Sequence, residues 1–174
     1  MVDAGWTIYA PIIIVILVAV LGFFAARRAI SQDGWYNCIN KASFTIPDWA
    51  FLLIWVILYI LLIITWVRAN ATITDQTSYE AINWLFTINI ILSLAWAFLF
   101  FGDGNLVAGL VIIVLMLVVT GALIFLVRSD TWAFIFLILF FIWLLYILVL
   151  NWYAITHNFI IQNHPPISCM FGQS

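Results

Sequence analysis

Five long apolar runs, with charges confined to their ends, constrain this chain more than any other feature: about 6–28, 47–68, 81–101, 105–127 and 132–156. Each is close to the ~20 residues that a helix needs to cross a bilayer. Membrane barrels are built instead from short strands that alternate apolar and polar faces, whereas these runs are continuous. Composition agrees: 68% of the 174 residues are hydrophobic and only 7% are charged, against roughly 25% charged in a soluble domain. The expected fold is an all-α integral membrane protein, a bundle of five transmembrane helices occupying 1–158. A lid-like loop falls at 29–46 and a short polar tail at 159–174. The first run lacks a basic leader and exceeds the apolar length of a secretory signal, so it is expected to stay as a span.

Charge sets the expected orientation and removes several function classes. Arg27, Arg28 and Lys41 belong to the first loop, and Arg68 and Arg128 to the opposite face. The excess of bases favours a cytoplasmic first loop. With five spans the N-terminus is then outside and the C-terminus cytoplasmic. A net charge of −2 without a basic cluster argues against nucleic acid as a partner. Cys38 and Cys169 both fall on the cytoplasmic side in this topology, so no structural disulfide is expected. Asn70-Ala71-Thr72 has the form of a glycosylation sequon on the outer face.

The interiors of the runs carry no Asp, Glu, Lys, Arg or His, the groups that ion- and proton-coupled transporters place there. His157 and His164 lie at or beyond the end of the last run, which disfavours a buried bis-His haem. No cofactor or metal is expected. Aromatic and small polar residues remain as candidates. Helix 2 sets Trp55 and Tyr59 on one face, with Trp49 and Trp66 bracketing the span as an interfacial belt. Trp55 is too deep for that belt, and its indole N–H needs a partner. In helix 3, Asn89, Ser93, Trp96 and Phe100 form one stripe that should face inward. Ser93 and Ala97 also make a small-xxx-small pair, which could serve a homodimer contact instead. Helix 5 lines up Trp132, Phe136, Phe140, Trp143 and Ile147. Helices 1 and 4 read as packing or lipid-facing scaffold.

The stretch 34–59, GWYNCINKASFTIPDWAFLLIWVILY, resembles the tryptophan-rich sensory proteins, or translocator proteins, whose pattern here is WYxxLxKPxFxPPxWxFxxxWxxLY. Trp35, Tyr36, Lys41, Phe44, Pro47, Trp49, Phe51, Trp55, Leu58 and Tyr59 match, while Ala42 and Ile46 replace prolines. LSLAWAFLFFG is similar to the family's LNWAWxxxFFG, with Ser93 in place of asparagine. WLLYILVLNWYAITHN is similar to its WLAFATxLNYxxWxxN, with Ile147 in place of a small residue that lines the family's pocket. The resemblance implies binding of porphyrins, lipophilic drugs or sterols. The expected site is therefore an intramembrane pocket for a flat apolar ligand. Its expected residues are Trp35, Tyr36, Trp49, Phe51, Trp55, Tyr59, Asn89, Ser93, Trp96, Phe100, Trp143 and Ile147, with Ile147 narrowing it. Partners are a porphyrin or another lipophilic small molecule, membrane lipid and a second copy of the chain. A receptor or translocator role without catalysis is the first expectation. An enzyme that degrades protoporphyrin and a purely structural membrane protein are the alternatives.

Overall fold

A computed structural model describes residues 6–30 and 35–158. The polar tail at 159–174, with Cys169 and His164, and lid residues 31–34 lie outside the described residues. Five α-helices follow in order: α1 (Trp6–Ile30), α2 (Asp48–Thr72), α3 (Gln76–Trp96), α4 (Leu106–Leu126) and α5 (Thr131–His157). Among the described residues there are no strands. Among the described residues, four helices are long and apolar enough to cross a membrane, counting α3 with its continuation to Gly102. The apolar described part of α1 is Ile12–Phe24, within a helix of 25 residues, or roughly 37 Å.

Helix ends follow capping chemistry more closely than hydropathy. The polar stretch 68–80 was expected to be a connection. Instead α2 continues to Thr72, and α3 starts at Gln76 because Asp75 caps it, its carboxylate accepting from Ser78 N–H at 2.9 Å. Asn105 caps α4 through Ala108 N–H, and Asp130 caps α5 through Trp132 and Ala133. Asn70 therefore lies in the last turns of α2, where its amide exchanges hydrogen bonds with Asn83 at 3.2 and 2.9 Å. The sequon is helical rather than a free loop.

After Trp96 the helix loosens into a π-helical turn, Ala97–Gly102. There the Asp103 N–H reaches back five residues to the Phe98 carbonyl at 2.9 Å. Gly104 then turns the chain with φ 65°, and its Cα hydrogen faces the Trp35 indole where a Cβ would stand 3.4 Å from the ring. Another side chain there would meet both the strained φ and the ring.

Packing splits into two clusters. One lies toward loop 1 and joins α2, the π-turn, α4 and α5 around Phe51, Trp55, Trp96, Phe100, Phe140 and Leu144. The other lies toward the opposite end, around Leu62, Trp66, Ile82, Phe86, Ile90 and Leu123. α1 packs chiefly on α2 and the π-turn. The inward stripe of α5 runs Ala133, Leu137, Phe140, Leu144, Ile147, Asn151 and Ala154. Trp132 is 59% exposed, which corrects the expected aromatic stripe. Trp143 sits beside the buried face rather than at its centre. Ser93 and Ala97 are buried within the chain, a Cβ on Gly22 of α1 falling 3.6 Å from Ala97. The small-xxx-small pair thus serves an internal helix contact.

Candidate functional site

The lid-side cluster is an aromatic stack reaching from α2 to α3 and α5. Trp55 and Trp96 stack at 5.5 Å and 26°, and Trp96 stacks on Phe100 at 5.2 Å and 16°. Trp143 meets Trp55 edge-on at 6.4 Å and Phe51 at 5.6 Å. The three tryptophans expected to frame a pocket therefore pack on one another, and the open space lies on either side of them.

The larger space is a cavity of about 180 Å³ between α1, α2 and α3. Trp55, Tyr59, Ser93 and Trp96 line its inner wall, while Phe23, Leu53 and Val56 stand at its mouth, each 44–52% exposed. It is a groove open sideways to the bilayer. The smaller space, about 30 Å³, lies under loop 1 and is bounded by Tyr36, Phe100, Ile147 and Asn151, among others. Phe51, Trp96 and Phe101 border both, so one layer of rings separates groove from lid cavity. Ile147 is buried at 3% exposure and occupies the lid side.

Polar satisfaction divides the tryptophans. Trp35 Nε1 donates to the Phe101 carbonyl at 2.9 Å, and Trp66 Nε1 donates to Asn83 Oδ1 at 2.6 Å. The indole nitrogens of Trp55, Trp96 and Trp143 are buried with no partner, as is Asn89 Oδ1. Each unsatisfied buried group costs about 1–3 kcal/mol. The Asn89 amide does donate to Thr120 Oγ1 at 2.8 Å, joining α3 to α4, and Ser93 Oγ donates to the Asn89 carbonyl at 2.9 Å. Asn89 borders neither cavity.

The remaining expected residues divide as follows. Tyr36 lines the lid cavity. Burial first, then the Asp48 carboxylate and Tyr146, push its phenol up to about 12, so it stays protonated at physiological pH. Trp35 anchors loop 1 and lines neither space, and the same is true of Trp143. Trp49 is 71% exposed and belongs to the surface of α2, which separates it from both cavities. Cys38 is disulfide-bonded, which corrects the expectation of free thiols. That expectation rested on a compartment assigned from three bases against two.

Sequence reasoning missed the contribution of α1. Ala19, Gly22 and Ala26 line the groove, and their spacing of three and four residues is the signal, a stripe of small side chains on one helical face. It also missed Asn151. With its amide oriented to satisfy both ends, Asn151 donates to the Leu106 carbonyl and accepts from Leu110 N–H, each at 3.0 Å. Gly109 permits that approach, since a Cβ there would stand 3.0 Å from the Asn151 amide and 3.1 Å from Phe100.

Residues 12–156 match the TspO/MBR family. The chain is 32% identical over 97 residues to Tryptophan-rich protein TspO of Chlorobaculum tepidum, covering 55% of this chain and 61% of that one. It is 27% identical over 108 residues to Protein CrtK of Rhodobacter capsulatus, covering 62% and 68%. A third relative, Tryptophan-rich protein TspO of Archaeoglobus fulgidus, is 30% identical over 106 residues, covering 60% and 66%. Two of the three relatives are thus matched over less than two thirds of their own length. A five-helix membrane bundle with a tryptophan-rich centre and a match over most of its length assigns this chain to the TspO/MBR family.

Proposed function

We infer that this protein is a membrane receptor or translocator that takes a flat apolar ligand from the bilayer onto the Trp55–Trp96 stack, with Trp143 buttressing it edge-on. A porphyrin or related tetrapyrrole is the class proposed, with sterols or other lipids as further occupants. The observation that carries this reading is that Trp55 and Trp96, two of the three tryptophans whose buried indole N–H groups lack acceptors, line the groove. A purely structural core would be expected to pair them, as Trp35 and Trp66 are paired. A ligand that is flat, apolar and edged with acceptors would stack on the rings and satisfy the donors.

Size sets the mode of binding. A cavity of ~150 Å³ accommodates benzene, so the groove of about 180 Å³ takes one edge of a tetrapyrrole while the remainder stays in lipid. Deeper entry requires the Phe51–Trp96–Phe101 wall to move toward the lid cavity.

The charge bias of loop 1 supports an N-terminus outside and a cytoplasmic C-terminus. The Cys38 disulfide weighs the other way, because disulfides persist in oxidising compartments. A C-terminal alkaline phosphatase fusion, active only outside the cytoplasm, decides between them. A second copy of the chain remains a proposed partner, through a face other than Ser93 and Ala97.

The test is a titration of purified protein with protoporphyrin, following tryptophan fluorescence. Saturable quenching is expected, and Trp96→Ala should weaken it by about 1–3 kcal/mol, the scale of a lost stacking partner. Quenching that is unsaturable, or indifferent to Trp96 in a folded variant, returns the aromatics to packing alone. Chromatography of the illuminated complex addresses the enzyme alternative: recovered protoporphyrin supports binding without catalysis, and new products reverse that.

A further inference from the structure

Loop 1 is held over the bundle by side chains that come from α5 and touch its backbone. Asn158 closes on Asn40 from both sides. Its Oδ1 accepts from the Asn40 N–H at 2.6 Å, and its Nδ2 donates to the Asn40 carbonyl at 3.1 Å. The same Nδ2 donates to the Ala154 carbonyl at 2.8 Å, which pins the rotamer. Tyr146 does the equivalent further down. Its hydroxyl donates to the Phe44 carbonyl at 3.1 Å and accepts from Ile46 N–H at 3.2 Å. Between the two, the Phe44 ring meets Tyr153 edge-on at 6.3 Å.

Residues 146 and 158 are separated by about 18 Å along a helix. Segment 40–46 is thus a strap laid along the end of α5 and fastened near both ends. Lys41, Ala42 and Thr45, between the fastenings, line the lid cavity, and neither Tyr146 nor Asn158 does. The strap is the wall of that space with the least packing behind it, because Phe51, Trp96, Phe100, Phe101 and Ile147 on its other sides belong to packed helices α2, α3 and α5 and to the π-turn.

We propose that Tyr146 and Asn158 are positioning residues: two latches that hold the strap closed over the lid cavity and set the rate at which ligand enters and leaves it. A ligand advancing past the Phe51–Trp96–Phe101 wall meets a space of about 30 Å³, and further room is gained by lifting the strap. Each latch is a pair of neutral hydrogen bonds, so releasing one should change opening by on the order of tenfold. The gating half of the proposal rests on the ligand reading above, and the latch half does not.

Two measurements on the full chain separate these halves. Hydrogen–deuterium exchange, run without reductant so that the Cys38 disulfide stays closed, should show peptides within 38–46 exchanging about tenfold faster in Tyr146→Phe and in Asn158→Ala. Peptides from α2 and α4 should be unchanged. Tyr146→Phe keeps the ring that packs at 5.2 Å on Trp143, so folding is preserved while both bonds are lost. Stopped-flow quenching with protoporphyrin should then show association and dissociation both faster, with Kd within about twofold. Unchanged exchange of 38–46 in both variants overturns the latches, whatever the ligand does. Faster exchange with unchanged ligand rates overturns the gating role. Absence of quenching in the wild-type protein overturns the ligand reading and the gating role together, and leaves exchange to decide the latches alone.

Discussion

The two hydrophobic clusters use the same residue types and finish them differently. At the end away from loop 1, Trp66 lies flat on Phe86 at 5.3 Å and 8°, its N–H taken by Asn83, which is itself paired with Asn70. Arg68 and Asp130 close that end with an ion pair at 2.9 Å. At the loop 1 end, three indoles lack acceptors; the groove borders Trp55 and Trp96, and the lid cavity borders Trp96. Satisfied aromatics hold helices together, whereas the proposed function gives the unsatisfied aromatics beside empty space a ligand to meet. Under the proposed function, that contrast separates a half built for stability from a half built for binding.

The largest effects should come from truncating each half. Phe86→Ala, in a fully buried position, should cost about 3–5 kcal/mol and leave the affinity of the surviving folded protein for protoporphyrin intact. Ile147→Ala should cost about 2–4 kcal/mol but tighten bulky ligands, since the side chain occupies the lid cavity. Thermal midpoint and affinity measured on both variants test this. Tighter binding in Phe86→Ala, or none in Ile147→Ala, would erase the division.

Indole replacement should give smaller shifts of opposite sign. Trp66→Phe removes a made hydrogen bond and strands Asn83, for a loss of about 1–2 kcal/mol. Trp55→Phe removes an unsatisfied donor and should leave stability level or raise it by up to ~1 kcal/mol, while weakening acceptor-bearing ligands. Equal losses in both would show that the Trp55 donor is paired in the membrane.

The smallest effect is a pH dependence. Burial alone would raise the Asp130 carboxyl, but Arg68 and the amides of Ala133 and Trp132 hold it below the ordinary carboxylate value. A depressed folded value contributes stability above the unfolded value of ~4 and loses it as pH falls through the folded one. Asp130→Asn should therefore lower the thermal midpoint at neutral pH by about 2–4 °C, the scale of 1 kcal/mol. The gap to wild type should close below about pH 4. A gap that persists in acid would assign the effect to helix capping by geometry alone.

Much of this architecture was legible because lipid demands it. Spans are long, continuous and apolar, so all five helices were placed, and the Asn89–Ser93–Trp96–Phe100 stripe is inward as its spacing required. The connection between the second and third runs was drawn too long because hydropathy marks the membrane, whereas Asp75 marks the helix start. The site was harder to read. A tryptophan's depth in a span does not reveal whether its ring borders space or another ring, and Trp143 packs where Trp96 lines. The α1 stripe of Ala19, Gly22 and Ala26 was overlooked because small residues in lipid read as packing. The state of Cys38 was read from a compartment assigned by a charge count across loops, and such a count does not report a disulfide.

The π-helical turn carries a consequence for chain length. A π-turn holds an extra residue relative to the α-turn it replaces. Winding the same residues as ordinary α-helix, with none removed, would push that extra residue's turn into the chain beyond. Everything beyond would then rotate by about 100°. Phe100 and Phe101 would leave the partition together, and Gly104 would lose its seat against Trp35. The aromatic wall is therefore a property of register as much as of side-chain identity.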